Sequence, residues 1–355
     1  MTGLRDAVIQ RVEAELDVFL TGRGRAFAAL GDDLVPVTDA ARSLVLTGGK
    51  RLRPSFAYWG WRAVRPADDD DRGLITAAAS LELLHACALV HDDVMDASDT
   101  RRGRPAAHAA FADLHRREDW TGDPSTFGTA AAILLGDLLL SWADAMFASA
   151  DVGADAARAA RPVYDEMREL VMAGQYLDVL VQARGAYSTD EALRVIELKT
   201  SKYTVEGPLR LGAALAGAPH DVCAVLRRYG LALGEAFQLR DDVLGVFGDP
   251  SVTGKPAGDD LREGKHTLLT ALAMQTADAA QAAALQRGLG DRRLDADQVQ
   301  RLREVIVATG ALEDVERRIV ERTAAARTAL HSGTVSEDAR TALDALAGAA
   351  TDRHA

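Results

Sequence analysis

Apolar residues recur along this chain three and four positions apart, and runs that alternate at every second position are nearly absent. That spacing puts one buried stripe on each of a succession of helices. The pattern predicts helices near residues 4–30, 36–46, 51–65, 73–98, 126–150, 155–184, 189–206, 220–247, 264–288, 296–309, 311–331 and 336–349. Glycine, proline and short polar clusters mark the breaks: Gly48-Gly49, the acidic run Asp68–Asp71, Thr121-Gly122-Asp123-Pro124 and Gly248-Asp249-Pro250. The acidic run reads as a solvated loop. No stretch has a linker composition and no short repeat stands out. The expectation is therefore one all-α domain over residues 1–355, a helical bundle whose polar tail frays from about residue 350.

The most apolar stretch, Thr129 to Ala150, is broken by Gly136, Asp137 and Asp144, which reads as a buried core helix rather than a membrane span. The N-terminus is charged and amphipathic, without the apolar core of a signal peptide. A composition of 48% hydrophobic and 26% charged residues is that of a globular protein. The net charge of −12 argues against a nucleic-acid partner, which needs a basic face. It leaves room for an anionic substrate, since metals and a few local cations reverse the field inside a site. Cys87 and Cys223 lie in apolar helical context and read as buried thiols of a cytoplasmic protein.

Two aspartate clusters stand out against this background. The first is Asp92-Asp93-Val94-Met95-Asp96, and the second is Asp241-Asp242. Adjacent carboxylates in apolar helices repel each other and are costly to desolvate, so a cation must compensate. Asp92 and Asp96 are i and i+4 on a helix, and two carboxylates on one face suit Mg²⁺, which completes its octahedron with water or phosphate. A diphosphate held between the two clusters is the natural third party. Arg101-Arg102, just past the first cluster, can grip such an anion in a bidentate manner. Gly48-Gly49-Lys50-Arg51-Leu52-Arg53-Pro54 reads as an anion site that needs no metal, and it lacks the spacing of a P-loop. Lys199-Thr200, Gly254-Lys255 and Gly264-Lys265 add further cations beside hydroxyls or glycines.

In combination, GGKRLRP at Gly48–Pro54, HDDVMD at His91–Asp96 with RRG behind it, GQYLD at Gly174–Asp178, KTSKYT at Lys199–Thr204, FQLRDD at Phe237–Asp242 and GKPAGDD at Gly254–Asp260 resemble the trans-isoprenyl diphosphate synthases. This is the farnesyl and geranylgeranyl diphosphate synthase family of polyprenyl synthetases. The resemblance runs from about Gly48 to His266. It implies an isoprenoid synthase fold, an antiparallel all-α bundle around a deep central cavity, and a homodimer. It also implies a transferase that joins isopentenyl diphosphate to dimethylallyl, geranyl or farnesyl diphosphate by ionisation, condensation and elimination.

The same resemblance assigns roles. Asp92 and Asp96 would bind two Mg²⁺ ions with Asp93 in support, and Asp241 would bind a third with Asp242 beside it. Arg101, Lys199, Lys255 and Lys265 would contact the allylic diphosphate. Lys50, Arg53, His85 and Arg102 would hold isopentenyl diphosphate without metal. Thr200, Phe237 and Gln238 would line the reacting centre, while Gln175 and Asp178 orient the metal and lysine shell. One position departs from the family pattern: its second cluster usually carries an aspartate where this chain has Gly245.

Product length is a packing question. Cys87 and Ala88, five and four residues before Asp92, are small, whereas in this family an aromatic there stops growth at C15. The next residues on that face are Leu84 and Leu81, the first of them one turn of about 5.4 Å further down. A floor one turn lower predicts geranylgeranyl diphosphate (C20), with farnesyl or longer polyprenyl diphosphates as the alternatives. A class I terpene cyclase would carry a different second metal motif and lack the metal-free basic site. A non-catalytic synthase subunit would lose its aspartate clusters, and only Gly245 points that way. The ExxH spellings Glu82–His85 and Glu263–His266 raise a di-iron bundle, but leave the lysines unexplained.

Overall fold

The structure is a computed structural model that describes residues 2–66, 69–249 and 258–351. Its described residues are helical almost throughout. The chain divides into two compact units, Met1–Val163 with Pro208–Ala218, and Tyr164–Gly207 with Pro219–Ala355.

The first unit is built on α1 (Thr2–Ala28), α2 (Val35–Leu46), α3 (Leu52–Arg62), α4 (Arg72–Met95), α5 (Ala107–Arg117) and α6 (Pro124–Ala148). Helix α4 is the central one, packing against α1, α3 and α6. Leu81, Leu83 and Leu84 on α4 and Leu135 and Leu139 on α6 are fully buried, each contributing roughly 1.5–3 kcal/mol. Asp123 caps α6 by accepting from the Thr126 amide at 2.8 Å, and Pro124 starts the first turn where a missing N–H costs nothing. Helix α6 is only partly a core helix. Its inner face packs on α4, while Ile133 and Leu134 are 43% and 66% exposed. By length and apolarity α4 and α6 could each cross a membrane, and α4 is mostly buried inside its unit. Between α4 and α5 the chain makes a two-stranded hairpin, β1 (Thr100–Arg101) and β2 (Arg104–Pro105). Its turn residues Arg102 and Gly103 both have positive φ, 54° and 72°, the geometry that matches strand twist in a two-residue loop.

Helix α7 (Ala154–Arg184) leads into the second unit. The chain then forms α8 (Thr189–Val195), a π-helical segment (Ile196–Glu206), α9 (Gly207–Ala216, of the first unit from Pro208 on) and α10 (His220–Phe247). It ends with α11 (Asp259–Glu263), α12 (Leu268–Thr276), α13 (Ala279–Gly288), α14 (Ala296–Ala308), α15 (Ala311–His331) and α16 (Glu337–Thr351). The core around α10 joins Leu239, Val243 and Val246 to Leu261, Leu269, Ile306 and Ile319. Arg240 clamps α10 to α15 through two bonds to Glu316, at 2.6 and 2.7 Å, and donates to the Thr351 carbonyl at 3.0 Å.

Several expected boundaries change. The helix expected at 264–288 is two helices, because Asp278 and Gln281 form a capping box that starts α13 afresh. The segment expected as one helix over 189–206 passes from α to π geometry at Ile196. Helices α5, α9 and α11 lie outside every expected range. The tail expected to fray from about 350 is helical to Thr351, with Ala350 and Thr351 buried, and the acidic run is described only from Asp69.

Candidate active site

In the first unit the first aspartate cluster closes α4. Asp96 is its C-cap residue and its amide donates to the Asp92 carbonyl at 2.8 Å, so the i, i+4 relation holds to the helix end. Asp92 and Asp96 are half-buried, while Asp93 is buried. Arg101 Nε donates to Asp93 at 2.9 Å and its Nη2 makes a second, shorter bond to the same carboxylate. That guanidinium also stands 3.8 Å from Asp92. Burial pushes the Asp93 carboxyl upward, and Arg101 works against that shift. The compensating cation inferred for the adjacent carboxylates is thus partly Arg101 itself. It is positioned by the hairpin turn at Arg102-Gly103.

The basic turn comes from Gly48 to Arg53. Gly48 and Gly49 have φ of 71° and 105°, a left-handed course that favours glycine. Arg51 also has positive φ, 46°, a strained choice held in place by its side chain. That side chain is buried, donating to Glu82 of α4 at 2.8 Å and to Glu13 of α1 at 3.3 Å. Arg51 therefore locks the turn onto the unit's core, and Lys50 on one side is exposed while Arg53 on the other is half-buried. Arg102 reaches the same turn, donating to the Thr47 carbonyl at 3.0 Å. His85, two turns before the aspartates on α4, lies within the field of Arg53, Arg102, Arg101 and Arg51. Burial first, and these arginines second, hold it well below its ordinary pKa, so its imidazole is neutral. Cys87 is buried and its thiol is pushed up to about 12 by burial. Ala88 is half-buried, and Leu84 and Leu81 below it are fully buried.

In the second unit, three elements converge. A Cβ on Gly174 would lie 2.5 Å from the Lys199 backbone nitrogen, so glycine there lets α7 and the π-helical segment touch. Lys199 then donates to Asp178 of α7 at 2.7 Å, with Gln175 one turn earlier. The wider π turn inserts an extra residue and turns the following side chains to another face, a feature found often at functional sites. Thr200 Oγ1 donates to Gln238 Oε1 at 2.5 Å, and Gln238 Nε2 donates to Asp242 at 2.8 Å. Phe237 beside it is half-buried. Asp241 is exposed and Asp242 is buried. Burial above all, with the charges of Asp260 and Asp241, pushes the Asp242 carboxyl up to about 8, while Gln238 and Lys265 oppose this. Lys265 lies 3.0 Å from Glu263 and 3.5 Å from Asp260. Lys255 falls outside the described residues.

Asp92, Asp96 and Asp241 offer only carboxylate oxygens, the donor set that suits Mg²⁺. Among the described residues no group of three or more His, Cys, Asp or Glu side chains could enclose a metal. An ion at either aspartate cluster would take its further oxygens from water or a bound diphosphate. The two ExxH spellings lead elsewhere: Glu82 is paired with Arg51, and Glu263 with Lys265. Sequence reasoning missed three participants: Arg51 as the anchor of the basic turn, Glu82 as its partner, and Asp260. The first lay inside a quoted motif and the third at the end of another, but nothing in either motif says which side chain points inward.

The sequence profile of the polyprenyl synthetase family matches residues 36–306, a span that crosses both compact units. The chain is 35% identical to the geranylfarnesyl diphosphate synthase of Aeropyrum pernix over 79% of its own length and 83% of that protein's. It is 35% identical to the geranylgeranyl diphosphate synthase of Methanosarcina mazei, covering 67% of this chain and 69% of that one. Its fold superposes with a TM-score of 0.95 on a crystal structure of geranylgeranyl pyrophosphate synthase from Corynebacterium glutamicum complexed with isoprenyl diphosphate and magnesium. That chain is 40% identical, with 98% of this chain and 99% of that one covered. The chain belongs to the polyprenyl synthetase family of trans-prenyltransferases.

Proposed function

We propose that this prenyltransferase condenses isopentenyl diphosphate with an allylic diphosphate and makes mainly geranylgeranyl diphosphate. The observation that carries the reading is the pairing, within one unit, of an oxygen-only carboxylate set with a separate basic turn. The first suits a diphosphate bound through metal, and the second suits one bound without it. Asp92 and Asp96 would hold two Mg²⁺ ions and Asp241 a third. When bound, the ions neutralise the charge that builds on the departing diphosphate.

The chain's own residues do the rest. Arg101, Lys199 and Lys265, with Lys255, grip the allylic diphosphate, and Asp93, Asp178 and Glu263 aim three of those cations. Lys50, Arg53 and Arg102 bind isopentenyl diphosphate, with neutral His85 donating a hydrogen bond without adding charge. Thr200, Gln238 and Phe237 line the reacting carbons, and Gln175 supports the lysine shell. The proton lost after the new C–C bond forms passes to the released diphosphate. Small Cys87 and Ala88 above a Leu84–Leu81 floor favour a C20 product. The exposed Ile133 and Leu134 on α6 supply an apolar face for a homodimer of this cytoplasmic enzyme.

Replacing Arg53 with Ala tests the division of labour. Losing a charge-assisted bond of about 1.5–3 kcal/mol should raise KM for isopentenyl diphosphate by roughly 10–100-fold. The KM for the allylic primer should move little. Equal shifts for both substrates would contradict the assignment.

A further inference from the structure

A cavity of about 830 Å³ opens in the second unit, and none of the residues assigned above to metal or substrate lines it. Helix α10 packs against both the π-helical segment and α15, and the cavity is the groove between those two. Along α15 its lining runs from Arg318 to Ser332, about 21 Å of helix. Four arginines line it, Arg194, Arg228, Arg318 and Arg322, against the carboxylates of Asp190, Glu197 and Glu235. Two of those carboxylates are already engaged. Glu235 takes Arg318 Nε at 2.5 Å and Arg322 Nε at 3.0 Å, and Glu197 lies 3.7 Å from Lys202. The contacts to Glu235 use the Nε edge, and each guanidinium carries four further N–H groups. Arg194 and Arg228 are exposed, and Arg228 makes only a long bond of 3.4 Å to Ser332 Oγ. In a chain of net charge −12, this groove has an excess of cations, and Leu193, Ile196 and Leu231 give it an apolar stretch as well.

A second observation points to a ligand. Ser201, on the π-helical segment, lines the same groove and is 1% exposed, and its Oγ is buried without a hydrogen-bond partner. A helical serine commonly bonds back to a carbonyl one turn earlier, and a buried hydroxyl left unpaired is costly. A ligand oxygen would satisfy it. Ser201 also connects the groove to the chemistry. It follows Thr200, whose hydroxyl donates to Gln238. Gly234, one turn before Gln238 on α10, packs directly on Ser201: a Cβ there would lie 2.4 Å from the Ser201 Cα. Whatever is held at Ser201 therefore bears on the contact that sets Thr200 and Gln238.

We propose that this groove is a regulatory site for an organic phosphate. The arginines and Ser201 hold its phosphate or diphosphate head, and Leu193, Ile196 and Leu231 cover its apolar body. The bound ligand alters turnover by fixing the π-helical segment against α10. A prenyl diphosphate and an unrelated alkyl phosphate share this chemistry. The binding itself does not depend on the synthase reading above, whereas the effect on turnover does.

Calorimetric titration with dodecyl phosphate tests it, on the wild type, Ser201→Ala and Arg194→Ala/Arg228→Ala. Both arginines are exposed, so their loss leaves the packing intact, and binding inside the active site is common to all three proteins. Losing charge-assisted bonds should weaken groove binding about 10-fold or more in the double variant, and losing one neutral bond about threefold in Ser201→Ala. Dodecyl phosphate should also change kcat for elongation in the wild type and not in the double variant, whose own kcat and KM stay within about twofold of the wild type. Equal affinity in the wild type and the double variant would overturn the site. Binding lost in the variant, with wild-type turnover indifferent to the ligand, would overturn its regulatory role. Inorganic phosphate binding as tightly as dodecyl phosphate would overturn the apolar part of the assignment. Geranylgeranyl diphosphate, titrated alongside, separates the sources: an equivalent of it lost in the double variant marks a prenyl diphosphate as the ligand, and a loss confined to dodecyl phosphate marks another organic phosphate. If no primer is elongated at all, the synthase reading fails while the calorimetry still decides the groove.

Discussion

Arg51→Met isolates the scaffold of the basic turn from its substrate chemistry. The Arg51 and Glu82 side chains are 2% and 5% exposed and 2.8 Å apart. Methionine keeps most of the aliphatic volume but leaves the Glu82 carboxylate buried on α4 without its cation. Breaking such a pair costs about 3–5 kcal/mol. The second bond, to Glu13, adds little, because that carboxylate is 44% exposed and solvent screens it. Nη2 of Arg51 is buried with no partner, so its removal offsets a small part of the loss. Arginine and methionine bear the left-handed backbone at 51 about equally, so strain cancels. The net expectation is a loss of about 3–4 kcal/mol, or roughly 10 °C in Tm for a unit of this size. Calorimetric melting measures it. Arg51→Met/Glu82→Met should recover most of the loss, since a packed apolar pair is often as stable as a buried ion pair. A single variant within about 1 kcal/mol of the wild type, or a double variant as unstable as the single, would refute the claim that this pair anchors the turn.

Other perturbations probe other parts of the molecule. Asp242 has its pKa raised from 3.8 to about 8, so its contribution is fully present below pH 3.8 and is lost as pH rises toward 8. In EDTA, Asp242→Asn should therefore gain on the wild type by up to about 1.4 kcal/mol per pH unit between pH 4 and 8, with no gain at pH 4. A gain independent of pH in denaturant titrations would contradict the buried-carboxylate account. Ala88→Phe should shorten the main product by one isoprene unit, seen by chromatography of the dephosphorylated alcohols. An unchanged product would mean that the chain does not grow along this face of α4. Leu134→Asp should lower the mass measured by light scattering from dimer to monomer, and a retained dimer would place the interface elsewhere.

Much of the fold was legible because long amphipathic helices announce themselves. The bounds read for α10 and α15 agree to the residue, with strong periodicity between clear stop signals. Helix α5 escaped because it is short and His- and Arg-rich, burying only Phe111, Ala112 and His115. Helix α9 begins Gly207-Pro208, which reads as a break, although proline is tolerated in a first turn. The π geometry at Lys199-Thr200 leaves no trace in hydrophobic spacing. For the site, the motifs named the carboxylates and cations, because charge in an apolar helix is conspicuous. They could not say that Arg101 would lie on Asp93, that Arg51 would turn inward to Glu82, or that Asp260 would take the place left at Gly245. Those pairings join residues between eight and 31 positions apart, and tertiary packing alone decides them.

One incubation decides whether this chain elongates prenyl diphosphates at a metal-dependent carboxylate site. The most direct measurement incubates the purified protein with isopentenyl diphosphate, Mg²⁺ and dimethylallyl, geranyl or farnesyl diphosphate in turn, and then resolves the products by chain length. Elongation should require Mg²⁺ and give the C20 diphosphate as the dominant product. Failure to elongate any primer, or cyclic hydrocarbons in place of linear diphosphates, would contradict it.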